Sequence, residues 1–293
     1  MNDALPVFDV LPMARPELGA REQELVAEVL ESGVLSLGPM LARFERDLAA
    51  WVGTPHASAV SSGTAGLHLA IRAAGIKAGD EVVTSPLSFI ASANVMIYEN
   101  AVPVFADIDP ISLNLDPAKA AQAVTERTTG LLPVHLFGAA ADMAAIEAIA
   151  TERGLWIVED ACEALGAIDS DGRAVGTRGH SAVLGFYPNK QLATGEGGMV
   201  LCGDQETKQR IDSERNQGRA PDMGWLDHER LGFNYRLSDV AAAIGVAQVE
   251  RLDSMLDRRA QAAGWYSELI SELDGITTPA PDSGLGRRSW FVY

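Results

Sequence analysis

Leu155-Trp156-Ile157-Val158-Glu159-Asp160 is an apolar run of strand length that stops on two acids. Neighbouring side chains of a strand point to opposite faces, so Glu159 is predicted to turn away from Asp160 into a structural role, while the Asp160 carboxylate emerges at the mouth of the strand. Six further runs of this kind recur: Ala57–Val60, Glu81–Thr84, Pro103–Ala106, Gly130–Val134, Ala182–Phe186 and Met199–Cys202. Between them the spacing turns helical. Leu41, Phe44, Leu48 and Trp51 repeat on one face after Pro39, and Asp142 caps a segment closed by Gly154. Strands alternating with helices predict an α/β fold whose largely parallel sheet is covered on both faces. After Cys202 the strands stop, and one long helical pattern runs from a Ser238 cap through Val249, Leu252, Leu256 and Trp265 to Gly275. That change divides the chain into a large α/β domain, residues 1–240, and a smaller C-terminal part, residues 241–293.

The chain has 293 residues, 47% hydrophobic and 22% charged, without a biased tract, which is the make-up of a soluble globular protein. Its 40 acidic against 23 basic residues give −17, the wrong sign for a protein that holds a phosphate backbone. Nucleic acid is therefore not an expected partner. Met1–Val10 contains Asp3, Pro6 and Asp9 and no secretory apolar core, and Gly130–Ala150 is broken by His135, Asp142 and Glu147, so neither a leader nor a membrane span is expected. A cytoplasmic protein is the reading. Cys162 and Cys202 form no C-x-x-C and no pattern with histidine, which fits a reducing compartment, gives no metal site and reads as packing.

Ligands of open α/β sheets bind beyond the carboxyl ends of the strands, so the residues that follow each run are where chemistry is sought. Ser61-Ser62-Gly63-Thr64 follows the first run and opens a helix. Bare glycine backbone, first-turn N–H groups and the Thr64 hydroxyl suit a phosphate, although Ser-Gly-Thr is also an ordinary helix cap. Asp160 reads equally as a functional acid or as a helix cap or half of a structural ion pair. Lys190 lies in Phe186-Tyr187-Pro188-Asn189-Lys190-Gln191, ahead of Gly195-Glu196-Gly197-Gly198. Packing among aromatics and proline would desolvate its amine and make it a nucleophile for carbonyl carbon. An anion cup, an acid and a packed amine are together what pyridoxal phosphate requires.

At this point the chain resembles the DegT/DnrJ/StrS sugar aminotransferases, a group of fold-type I pyridoxal phosphate enzymes. The stretches that carry the resemblance are Leu37-Gly38-Pro39, Ser62-Gly63-Thr64-Ala65, Gly79-Asp80-Glu81-Val82-Val83, Pro103-Val104-Phe105-Ala106-Asp107, Pro133-Val134-His135-Leu136-Phe137-Gly138, Glu159-Asp160-Ala161, Lys190 with Gly195-Glu196-Gly197-Gly198, and Gly232-Phe233-Asn234-Tyr235-Arg236. They run in order over nearly the whole chain. The resemblance implies a large domain with a mostly parallel seven-stranded sheet between helices, followed by a small C-terminal domain. It also implies that Lys190 forms the Schiff base and shuttles protons, that Asp160 keeps the pyridine nitrogen protonated, and that Gly63 and Thr64 bind the phosphate. Phe89, in Ser88-Phe89-Ile90, would cover one ring face, its alternative being a core residue at a helix start.

Asn234 matches the family residue that reaches the cofactor of the other subunit, which implies a homodimer with shared active sites. Lys208–Arg236 has six basic and five acidic residues in an otherwise acidic chain, so Arg219, Arg230 and Arg236 are candidates to hold a nucleotide-linked sugar. His135 either packs or lines the sugar site. Two positions depart from the family pattern. Gly185 stands where many relatives have a phosphate-binding serine, and Glu163 stands where Gln or His commonly follows the acid, so a Glu163 that faces the cofactor must be protonated or paired.

The resemblance implies an aminotransferase that moves an amino group from L-glutamate to a nucleotide-linked keto sugar, with 4-keto-6-deoxy favoured over 3-keto substrates. The alternative is a cofactor-binding regulator without turnover. There is no G-x-G-x-x-G, P-loop, G-x-S-x-G or H-E-x-x-H, so nucleotide-loop and metal hydrolases are not expected. Ser289-Trp290-Phe291-Val292-Tyr293 reads as a strand that stops abruptly, which predicts a truncated C-terminal domain with an open edge near Trp290.

Overall fold

The computed structural model describes residues 14–220, 227–280, 282 and 286–293. The N-terminal stretch read above for a leader lies outside them. Each of the apolar runs forms a strand: β1 (His56–Val60), β2 (Glu81–Thr84), β3 (Val102–Phe105), β4 (Thr128–Leu132), β5 (Trp156–Asp160), β6 (Ser181–Gly185) and β7 (Gly198–Cys202). They make one sheet in the order β1-β7-β6-β5-β4-β2-β3. Strand β7 runs antiparallel to both its neighbours, and every other pairing is parallel.

The helices are α1 (Ala20–Ser32), α2 (Pro39–Val52), α3 (Gly63–Ala73), α4 (Ala91–Tyr98), α5 (Pro117–Ala123), α6 (Met143–Arg153), α7 (Gln205–Arg215), α8 (Asp239–Val249) and α9 (Leu252–Ile270). The pleat distributes the core between them. Val82, Leu132, Val158, Val183 and Val200 pack with Leu67, Ile71, Val95 and Met96 of α3 and α4. Their strand neighbours Val83, Leu131 and Ile157 meet Ala120, Met143 and Ile146 of α5 and α6, while Ala182, Leu184, Met199 and Leu201 meet Phe44, Leu48 and Val246 of α2 and α8. Apolar side chains on both faces of every central strand are what a buried parallel sheet demands. Helix α3 lies close to the sheet: a Cβ at Gly66 would stand 2.7 Å from Val183 Cγ1.

The expected caps are present, Asp142 accepting the Ala145 N–H and Ser238 the Ala241 N–H, and Ser62 also caps its helix by accepting the Ala65 N–H. Two expectations about the C-terminal part are corrected. The pattern from Ser238 is two helices, because Arg251, with φ −127° and ψ 14°, leaves the helical region between α8 and α9. Its guanidinium reaches Glu17 and Glu22, and the preceding Glu250 pairs with Arg21 and Arg43, so ion pairs to α1, α2 and the residues before α1 hold the break. The apolar stripe also does not stay inside, since Leu252 is fully buried whereas Trp265 is 58% exposed. Nor is Ser289–Tyr293 a strand. Trp290 takes a left-handed φ of 50°, which bends the backbone out of an extended path, and Arg259 of α9 donates to the carbonyls of Trp290 and Phe291. Only Arg287 pairs in strand fashion, as an isolated bridge to Ile168. Among the described residues no helix is long and apolar enough to cross a membrane.

Candidate active site

The carboxyl ends of β1, β2, β5 and β6 open on a cavity of about 510 Å³ whose wall includes Gly63, Thr64, Phe89, Asp160, Glu163 and Lys190. Six residues singled out in the sequence thus meet in one place. At its floor α3 begins directly after β1. Ser62 Oγ takes the Ala65 N–H at 3.0 Å and the Ser62 carbonyl takes the Gly66 N–H, which leaves the N–H groups of Gly63 and Thr64 without an acceptor among the described residues. Such a pair of first-turn donors is an anion site. A Cβ at Gly63 would lie 2.8 Å from Cys162 Sγ, so only bare backbone fits there. Cys162 also crowds Gly185, where a Cβ would stand 3.3 Å from Cys162 Cβ and 3.4 Å from its Sγ.

Asp160 ends β5. Its Oδ2 accepts the Ser92 hydroxyl at 2.6 Å and its Oδ1 the Cys162 N–H at 3.2 Å. Burial first, and then the charge of Asp160, push the Cys162 thiol well above its ordinary range, so it stays a thiol. The other cysteine, Cys202, is a buried core residue pushed up to about 12 by burial, and both are free. Cys162, read as packing, is a wall of the cavity.

Lys190 follows β6 in the loop that returns to β7. Its N–H bonds the Tyr187 carbonyl at 2.9 Å and its own carbonyl accepts Arg259 at 2.9 Å. The amine stands 3.5 Å from Glu163 Oε1 and 4.1 Å from the centre of the Phe291 ring. Glu163 is therefore paired, and its second oxygen takes the Phe137 N–H at 3.0 Å. Phe89 is 70% exposed on the rim, which discards its core alternative.

Other candidates lie elsewhere. His135 is fully buried on the opposite face of β5 and is not part of the cavity wall, so of its two readings the structure has the packing one. The Ala141 N–H donates to its Nδ1 at 3.0 Å, which leaves the ring proton on Nε2 to bond Glu159 at 2.9 Å. Burial alone would raise the Glu159 carboxyl. The His135 bond and the N–H groups of Gly179 and Gly176 outweigh it and hold the group below its usual range.

Asn234 is exposed and outside the cavity of its own chain, pairing by backbone with Asn216. Its neighbours Phe233 and Tyr235 stack on each other at 5.0 Å and bracket His68 of α3. Arg236 bonds Asn216 Oδ1 at 3.0 Å, Arg219 forms a backbone bridge with His228, and Arg230 lies beside Glu229 at 3.5 Å. None of the three arginines lines the cavity.

Sequence reading missed Ser92, Cys162, Arg259 and Phe291. A hydroxyl four residues after Ser88 inside the apolar helix Ala91–Tyr98 was a signal for Ser92, and proximity to Asp160 was one for Cys162. Nothing in the sequence brings Arg259 and Phe291 to Lys190.

A model of the DegT/DnrJ/EryC1/StrS aminotransferase family matches residues 16–293. Over 292 residues, 97% of this chain and 75% of the relative, the chain is 41% identical to the spore coat polysaccharide biosynthesis protein SpsC of Bacillus subtilis. It is 38% identical to GDP-perosamine synthase of Caulobacter vibrioides, across 97% of this chain and 76% of that protein. Among solved structures, DesV of S. venezuelae in complex with a ketimine intermediate superposes with a TM-score of 0.87 at 39% identity, covering 93% of this chain and 72% of that one.

Proposed function

This chain belongs to the DegT/DnrJ/EryC1/StrS aminotransferase family, and from that premise we propose that it moves the amino group of L-glutamate to the keto group of a nucleotide-linked sugar, with 4-keto-6-deoxy sugars favoured over 3-keto sugars. It is a pyridoxal phosphate-dependent sugar aminotransferase. When bound, the cofactor supplies an aldehyde that exchanges amino groups and a ring that draws off electrons. One observation carries the reading: the amine of Lys190, the carboxylate of Asp160 and the bare N–H pair of Gly63 and Thr64 share one cavity.

The residues fit the cofactor. Gly63 and Thr64 would hold the phosphate, Asp160 the ring nitrogen, and Phe89 the exposed ring face. Lys190 would anchor the aldehyde end and carry the proton from the donor's carbon, with Glu163 fixing where its amine sits. Asn234 would reach the phosphate of a second copy, in a homodimer with shared sites, and its sequence neighbours Phe233 and Tyr235, packed on His68, would keep it presented. Arg219, Arg230 and Arg236, on the same segment, would face the anionic nucleotide. Two free thiols fit a cytoplasmic setting.

Two half-reactions test this. L-glutamate should bleach the visible absorption of the loaded enzyme and release 2-oxoglutarate, and a panel of nucleotide-linked keto sugars should restore the colour, 4-keto-6-deoxy members fastest. Lys190→Ala should abolish both, together with borohydride trapping of the cofactor. Loading without exchange would support a regulator instead.

A further inference from the structure

Ser92 lies in the first turn of α4, 1% exposed, among the buried apolar residues Ala91, Ala93, Val95 and Met96. Its Oγ is 2.6 Å from Asp160 Oδ2 and 2.8 Å from Ser88 Oγ. Proton counting gives the direction. A carboxylate only accepts and a hydroxyl carries one proton, so Ser92 donates to Asp160 and accepts from Ser88. The Ser88 proton is thereby drawn from the Phe89 carbonyl, 3.2 Å away. The outcome is a directed chain from Ser88 through Ser92 to Asp160, starting beside the side chain that covers the cavity and ending on its acid.

The bond to Asp160 has the length of a charge-assisted O–H···O⁻ contact. With the Cys162 N–H at 3.2 Å on Oδ1 and the Cys162 thiol also hydrogen-bonded to the carboxylate, both oxygens are held from the protein side while the residue lines the cavity. The torsion that turns a carboxylate is otherwise broad and weakly defined. Of these contacts, the Ser92 bond, at 2.6 Å, is shorter than that of the Cys162 N–H and is the one made by a hydroxyl.

We propose that Ser92 is a positioning residue for the aminotransferase reaction: backed by Ser88, it sets the rotation of the Asp160 carboxylate and with it how firmly that acid keeps the cofactor's ring nitrogen protonated. The inference rests on the reading of Asp160 given under Proposed function. It concerns a residue that is not among those lining the cavity.

The test loads the enzyme with pyridoxal phosphate carrying ¹⁵N in the ring and compares wild type, Asp160→Asn, Ser92→Ala, Ser92→Thr and Ser88→Ala by the pyridine resonance and by steady-state kinetics. Asp160→Asn should move the resonance towards that of neutral pyridine. Ser92→Ala should move it part of the way and lower kcat by about 10- to 100-fold, the size typical of residues that orient a reactive group from behind, with KM for the donor nearly unchanged. Ser92→Thr should restore both. The proposal is overturned if Ser92→Ala leaves the resonance in place while Asp160→Asn moves it, or if Ser92→Thr behaves like Ser92→Ala, which would make Ser92 a matter of volume. A resonance unmoved by Asp160→Asn removes the reading of Asp160 itself, and the relay with it. Should Ser92→Ala fail to fold, the half-buried Ser88→Ala carries the test: a smaller displacement in the same direction supports the relay, and none overturns it.

Discussion

The two faces of strand β5 carry neighbouring carboxylates with opposite surroundings. Glu159, 0% exposed, is taken up by the His135 ring and by the N–H groups of Gly176, Arg178 and Gly179. Asp160, 5% exposed, receives the Ser92 hydroxyl and the N–H and thiol of Cys162, and lines the cavity. Burial does not separate the two. What separates them is that Asp160 lines a space large enough for a ligand and Glu159 does not, and that is the mark of a site as opposed to a lock.

The largest expected effect tests this contrast directly. Asp160→Asn should lower kcat by about 10²–10³-fold or more, as for lost electrostatic stabilisation in a closed site, and leave the melting temperature nearly unchanged. Glu159→Gln should do the reverse. It puts an NH2 group against the donors of His135 and Gly176, and breaking such a buried arrangement costs about 3–5 kcal/mol, to be read by urea unfolding, with kcat per folded chain close to wild type. Equal losses of activity in the two variants would erase the distinction.

A second experiment extends the contrast from one chain to two. If Asn234 serves the partner's site, refolding Lys190→Ala together with Asn234→Ala should create heterodimers in which one site has both lesions and the other neither. Activity should reappear up to a fraction of wild type. Mixtures that contain heterodimers yet remain as inactive as each variant refolded alone would confine every site to a single chain.

The smallest effect concerns the bracket beside Asn234. Burial, opposed by the Glu99 hydrogen bond, lowers the pKa of His68 below its ordinary 6.5. The unfolded chain then binds the extra proton more readily than the folded one, so this contribution is complete above about pH 6.5 and is lost on acidification. Glu99, Arg72, Glu214, Tyr98 and Tyr235 face the ring, and Glu99 titrates only at lower pH because its own pKa lies below 4.5. Urea midpoints measured from pH 8 to pH 5.5 should fall, and His68→Gln should flatten the fall. An unaltered slope would assign it to another group.

The strands and the helices after Pro39, Ser62, Asp142 and Ser238 were legible because each is a local pattern. Apolar runs of four or five residues between helical stripes, with Ser62, Asp142 and Ser238 as caps, identify their elements whatever lies across the sheet. The candidate site was legible for the same reason, since Gly63 and Lys190 follow strands and Asp160 ends one, although Gly63 and Asp160 taken singly also had a structural reading. His135 stayed ambiguous, because a histidine beside a strand end can face either way and only its partner Glu159 decides. The terminal segment misled, since its aromatic residues suit a strand while Trp290 is bent into a left-handed conformation and Tyr293 stacks on Tyr266 and Trp290.

Local stretches suffice for the α/β alternation and for placing Gly63, Asp160 and Lys190, in that order, at the carboxyl edge of the sheet, because periodicity and strand polarity are properties of a few adjacent residues. Long-range packing breaks the pattern after Ser238 at Arg251, where no glycine or proline announces it and distant carboxylates hold the turn. It alone brought Arg259 and Phe291 to Lys190, and Ser92 to Asp160. These contacts join residues far apart in the chain, and which distant pairs meet is set by how whole helices pack against the sheet, information that no local stretch contains.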